Sequence, residues 1–203
     1  MIKMQMSAVG AAVLRSREGD KLVAYKDSVG VWTIGTGITT ASGLITVVPG
    51  LVITQAQSDA LYAKAVQQYA APVRTALNVA VPQHTFDALV SLCFNIGAGA
   101  FARSTVVKRI NAGDLAGGIE AILMWNKPSE IISRRQGEYD QARTPYAVSL
   151  PKARRSDARP IRAPAGTSVL DPTPSQPAGN VVKPSGPGGL FGPLISAIQR
   201  MFS

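Results

Sequence analysis

Arg17-Glu18-Gly19-Asp20-Lys21-Leu22-Val23-Ala24-Tyr25-Lys26-Asp27-Ser28-Val29-Gly30-Val31-Trp32-Thr33-Ile34-Gly35 is the stretch whose reading decides how this chain folds. Before it, Ser7 to about Arg17 has Val9, Val13 and Leu14 on one side of a helix, and Glu18-Gly19 ends that pattern. Within it, Asp27-Ser28-Val29-Gly30 is a turn signal, followed by a β-branched and aromatic run. Residues 22–53 are rich in Val, Ile, Thr and Gly with few helix formers, which predicts a small, irregular antiparallel β region. One carboxyl group therefore ends a helix, and a second follows nine residues later on a turn into the sheet. Two carboxyl groups held across a cleft by different elements are what glycosidic bond cleavage needs. Taken alone, the spacing of the pair is weak evidence and favours a solvated helix end followed by a turn.

Working outward, Thr54-Gln55-Ala56-Gln57 reads as a capping box opening a long helix to about Ala76, with Leu61, Ala65, Val66 and Tyr69 facing inward. Pro72 is expected to bend or break its end. Pro82 starts a second helix in which Phe86, Leu89, Val90, Cys93 and Phe94 recur at helical spacing, the pattern of a buried central helix. Ser104 and Asp114 are positioned to cap two further helices, ending near Asn111 and Trp125. Pro128 to Arg143 reads as the last helix, with Arg134 and Glu138 one turn apart as an ordinary surface ion pair. A β region inserted into a set of helices is an α+β arrangement of two lobes around a cleft.

The chain has 203 residues, 46% of them hydrophobic, and a formal net charge of +9. Residues 1–143 hold 14 basic and 10 acidic groups, and residues 144–203 hold 7 and 2. Such a balance attracts polyanions: anionic glycans, lipopolysaccharide, lipid headgroups or nucleic acid. No zinc-finger spacing, no basic helix interleaved with aromatics and no nucleic-acid module is present, so nucleic acid ranks low as a partner. Cys93 is the single cysteine, which excludes an intramolecular disulfide and fits folding in a reducing cytoplasm; its apolar setting predicts a buried, inert thiol. His84 is the single histidine, expected on the surface or at a helix cap, and its solitude argues against a Ser-His-Asp triad. The N-terminus carries no signal-peptide pattern, so delivery to a cell wall would depend on another agent that permeabilises the membrane.

After Arg143 the composition changes, with ten of the 14 prolines in residues 144–203. The expected organisation is a folded domain over 1–143, a Pro-rich, basic flexible linker over 144–188, and an apolar tail over 189–203. Lys152, Arg154, Arg155, Arg159 and Arg162 form a basic patch in the linker. In the tail, Leu194, Ile195, Ile198, Met201 and Phe202 share one helical face, suited to docking on protein or to lying on an anionic membrane surface, and too short to span a bilayer.

Three blocks carry a resemblance. The first is Glu18-Gly19, Ala24-Tyr25-x-Asp27, Gly30-x-x-Thr33-Ile34-Gly35 and Gly37; the second is Gln83 to Gly97, then Phe101, Ser104-Thr105 and Asn111-Ala112-Gly113-Asp114. The third is Trp125-Asn126, followed by Arg134-Arg135 and Glu138. In this order and spacing, over roughly residues 7 to 143, they resemble the phage-type lysozymes, the endolysin family of muramidases (glycoside hydrolase family 24). The resemblance implies a lysozyme-like fold and cleavage of the β-1,4 bond between N-acetylmuramic acid and N-acetylglucosamine in bacterial peptidoglycan. It implies Glu18 as the acid that protonates the leaving oxygen, from a partly buried cleft position. Asp27 would be the ionised partner that stabilises the sugar cation and positions water, and Thr33 the hydroxyl that holds that water. An inverting outcome follows by analogy only, and no metal or organic cofactor is called for. Asn95, Ser104 and Asn126 are weaker candidates for glycan contact, since capping and buried roles suit them equally well. The family pattern continues Gly-x-Gly-His-Thr, whereas this chain has Gly35-Thr36-Gly37-Ile38-Thr39, a change expected to touch local stability more than chemistry. The expectation is a monomeric endolysin of host lysis, with two alternatives: a virion-borne muramidase used in entry, or a non-catalytic lysozyme scaffold that disrupts membranes through its tail.

Overall fold

The computed structural model describes residues 4–27 and 30–162; the tail expected over 189–203 and the linker beyond 162 lie outside the described residues. Helix α1 (Ala8–Glu18) is capped by the Ser7 side chain, which accepts from the Gly10 amide, and ends at Gly19. The chain then forms β1 (Lys21–Lys26), β2 (Trp32–Gly35) and β3 (Ile38–Thr39), an antiparallel sheet in sequence order, with Tyr25 opposite Thr33 and Thr33 opposite Thr39. The β-branched run after the turn therefore does become strand, but residues 43–54 carry no strand beyond a single bridge between Val23 and Val52.

Helix α2 (Gln55–Ala76) begins with the expected capping box, the Thr54 and Gln57 side chains each bonded to the other's backbone amide. It runs through Pro72 to Ala76. A proline removes one helical donor, and here Tyr69, Ala70 and Val73, buried on either side of it, hold the turn by packing. The same helix serves both lobes: Leu61 and Ala65 join Ile34, Ile38, Val47 and Ile53 in a small β-side core, while Tyr62, Val66 and Tyr69 join the main helical core. Helix α3 (Gln83–Ile96) is buried along its whole length, packs on α1 and α2, and leads into the helices that follow. These are α4 (Ala98–Arg103), α5 (Thr105–Asn111), α6 (Leu115–Glu120) and, after short 3-10 turns, α7 (Ile132–Arg143). Ser104 and Asp114 cap α5 and α6 as the sequence predicts, accepting from the amides of Val107 and Gly117.

The flexible linker expected from residue 144 does not begin there. Residues 144–162 lie against the helical body: Tyr146 is buried and donates to Asp87 at 2.9 Å, Ala153 is buried, and Ile161 closes a loop back to the Pro151 carbonyl at 2.8 Å. The proline-rich average over sixty residues concealed one aromatic anchor and several side chains able to satisfy an irregular backbone. This segment also explains His84, expected on the surface: it is buried, its ring edge-on to that of Tyr146 at 6.2 Å.

Candidate active site

Glu18 is the last residue of α1, and its side chain is 10% exposed. Its Oε1 lies 2.6 Å from an Nη of Arg134, which reaches across from α7. Arg134 also bonds Glu138 through Nε at 3.1 Å, so one guanidinium joins two carboxylates on different helices. Burial works against its charge, yet Glu18 and Glu138 more than offset this and raise its pKa above the ordinary arginine value.

The Arg134–Glu138 pair, expected on the surface, is a correction: both side chains are buried, at 3% and 0% exposure. Glu138 accepts from Ser91 at 2.7 Å and from Arg135, and Arg135 bonds the Trp125 carbonyl at 2.9 Å. The sequence did carry a signal. Arg134, Arg135, Gly137, Glu138, Gln141 and Ala142 take the inward positions of this last helix, whose residues offer no continuous apolar stripe. A helix without such a stripe that still packs must bury polar groups, and those groups then need partners of opposite charge.

Asp27 lies just beyond β1 and closes the turn into β2. Its Oδ1 accepts the Val31 amide at 2.9 Å, its own amide donates to the Val31 carbonyl at 3.0 Å, and Gly30 donates to its carbonyl at 3.0 Å. Thr33, on β2 and 3% exposed, donates its hydroxyl to the same Val31 carbonyl at 3.1 Å. Val31 is thus the hub that fixes Asp27 and Thr33 relative to each other. Tyr25, half-buried on β1, lies opposite Thr33; burial first, and then the charges of Asp27 and Glu18, push its phenol above its ordinary pKa.

The remaining candidates separate. Asn95 is buried, with Oδ1 accepting from Arg135, which directs it into the protein rather than toward solvent. Ser104 is buried as the cap of α5. Asn126 is exposed, after a partly buried Trp125 that packs on the helical core. Ile38, where the related pattern has histidine, is buried in the β-side core with Ile34, Val47 and Ile53. Cys93 is buried, and burial pushes its thiol up to about 12, as expected of an inert group.

Known proteins resemble this chain in sequence and fold. Residues 15–138 match the phage lysozyme family. The endolysin of Salmonella phage P22 is 37% identical over 139 residues, 66% of this chain and 95% of that protein. The endolysin of Escherichia coli O157:H7 phage FAHEc1 superposes with a TM-score of 0.63 at 35% identity, covering 69% of this chain and 94% of its own. The muramidase domain of SpmX from Asticaccaulis excentricus gives a TM-score of 0.63 at 30% identity, over 70% of this chain and 99% of its own. The α+β architecture shown by these neighbours is the lysozyme-like fold that the sequence led us to expect.

Proposed function

Because this chain belongs to the phage lysozyme family, we propose that it is an endolysin that hydrolyses the β-1,4 bond between N-acetylmuramic acid and N-acetylglucosamine in bacterial peptidoglycan. What carries the reading is the placement of Glu18 at the end of α1 against Arg134, with Asp27 and Thr33 joined through Val31 on the sheet.

In this reading Glu18 gives its proton to the glycosidic oxygen as the bond to the sugar breaks. The carboxylate left behind meets Arg134 at 2.6 Å, a fixed charge aimed at the position where negative charge develops. Asp27, its orientation set by the Val31 amide, stabilises the oxocarbenium-like sugar and directs water to the opposite face. Thr33 donates its hydroxyl proton to Val31, so its oxygen keeps lone pairs that accept from that water. Asn126 is the exposed member of the three candidate glycan contacts. The net charge of +9 supports attraction to anionic envelope polymers.

The test is Glu18→Gln, expected to abolish release of reducing muramic acid ends from purified peptidoglycan, read by mass spectrometry of the muropeptides. Products cleaved in the peptide stems would point instead to an amidase or peptidase and remove the muramidase reading.

A further inference from the structure

Arg17 and the Ala153-Arg154 step are bonded in both directions. The buried Arg17 side chain donates from Nε to the Ala153 carbonyl at 2.8 Å and from an Nη to the Ser91 hydroxyl at 2.9 Å. In return, an Nη of Arg154 donates to the Arg17 carbonyl at 2.9 Å. That carbonyl belongs to the peptide joining Arg17 to Glu18, in the last turn of α1, where helical carbonyls lack partners within the helix. Burial, outweighing the attraction of Glu138, lowers Arg17 to about 10, so the group stays charged at neutral pH.

The segment that supplies Arg154 is itself pinned to α7. Arg155 pairs with Asp140 through two bonds, of 2.8 and 2.5 Å, and its amide donates to the Ser133 carbonyl at 3.0 Å. Ser156 meets the Ser133 hydroxyl at 2.8 Å, and the Arg154 amide is held by Asp157 at 2.8 Å. Gly137 is what lets the chain pass so close: a Cβ there would lie 2.8 Å from the Ala153 carbonyl oxygen and 3.2 Å from the Arg154 Cα. Residues 144–157 therefore run as a strap from Tyr146 over α7 to the end of α1, the two helices whose side chains Arg134 and Glu18 meet. They fall outside residues 15–138, the part that matches the family.

From this geometry we infer that the strap positions the catalytic glutamate, with Arg154 as the positioning residue that fixes the Arg17–Glu18 peptide. The inference rests on Glu18 being the acid. Without Arg154 the last carbonyls of α1 turn to water, the end of the helix gains freedom, and Glu18 spends less time in line with the leaving oxygen. Binding of the glycan, made along the rest of the groove, is left as it was.

Arg154→Met keeps the aliphatic stem and drops the donor. It is expected to lower kcat on purified peptidoglycan about fivefold with KM unchanged. Arg154→Lys, able to donate to the same carbonyl, is expected to recover most of that loss. Should Arg154→Met fail to fold, Arg154→Leu, which also lacks a donor, is read in the same way. Unchanged kcat in the donor-lacking variant beside an inactive Glu18→Gln overturns the strap alone. A fall with no recovery in Arg154→Lys also overturns it, since general loosening would then account for the effect. Activity retained by Glu18→Gln would sink the choice of acid, and the positioning role with it.

Discussion

Glu138 on α7 and Asp87 on α3 are carboxylates of equal depth, both 0% exposed, and the protein treats them in opposite ways. Burial disfavours the charge of each. Around Glu138, the guanidiniums of Arg135, Arg134 and Arg17 overcome that penalty and hold the carboxyl down to about 2. Around Asp87 the partners are neutral: Ser7 through amide and hydroxyl, Gln83 at 2.8 Å and Tyr146 at 2.9 Å. Here burial wins against all four hydrogen bonds and pushes the carboxyl up to about 6. The lesson is that hydrogen bonds alone do not replace lost hydration of a charge, whereas fixed cations do. The difference suits the places the two residues occupy. Glu138 shares Arg134 with Glu18 and so underlies the proposed acid, while Asp87 ties the start of α1 to α3 and to the segment after α7. Both sites are tightly built: a Cβ on Gly10 of α1 would lie 2.4 Å from the Asp87 carboxyl carbon.

Removing the charge of Glu138 should have the largest consequence. Glu138→Gln leaves Arg17, Arg134 and Arg135 buried with Glu18 as their remaining acidic neighbour among the described residues, and is expected to cost about 3–5 kcal/mol in urea unfolding at neutral pH. A loss below about 1 kcal/mol would mean that the guanidiniums are not dependent on it.

The pH dependence of stability comes next. Asp87 keeps its proton to about pH 6 when folded but releases it near pH 4 when unfolded. The folded chain binds the extra proton between those values, so stability falls as the pH rises through that window, by about 3 kcal/mol in all. Glu138 acts in the opposite sense: its contribution is present above about pH 4 and is lost as the pH falls toward 2. Stability of the wild-type chain should therefore peak between these limbs, and Asp87→Asn should flatten the limb from pH 4 to 6 while leaving the acid limb in place. Thermal melts across the pH range decide this, and a limb that survives the substitution belongs to another group.

Gln83→Met should give the smallest effect. It removes one neutral donor from Asp87 and one bond to the Gln5 carbonyl, at a cost of about 1 kcal/mol, and moves the upper limb to slightly higher pH. A shift to lower pH would show that Gln83 disfavours the charge rather than supporting it.

Much of this was legible in the linear chain because its causes are local. The capping box at Thr54, the caps Ser104 and Asp114, and the buried periodicity of α3 depend on neighbours within a turn or two. Glu18, Asp27 and Thr33 were legible because they fall at a helix end, a turn and a strand, each marked by residues beside it. What could not be read there depends on partners far along the chain. Arg134 and Glu138 have the spacing of a surface pair, and only the arrival of Glu18 and Ser91 from other helices shows that they are buried. Residues 144–162 have a linker's composition, and it is the fold that brings Asp87, Ser133, Asp140 and Arg17 beside them, giving their irregular backbone and side chains something to bind.

The sequence by itself determined the order of elements, the helix caps and the placing of Glu18 at a helix end, Asp27 at a turn and Thr33 on a strand, since short-range sterics and hydrogen bonding set these. Tertiary structure alone decided which charges share a buried network, which carboxyl is held ionised and which is pushed toward its neutral form, and that residues 144–162 pack on the helical body. Those properties follow from the distance between charges and their depth below the surface, and neither quantity exists until the chain has folded.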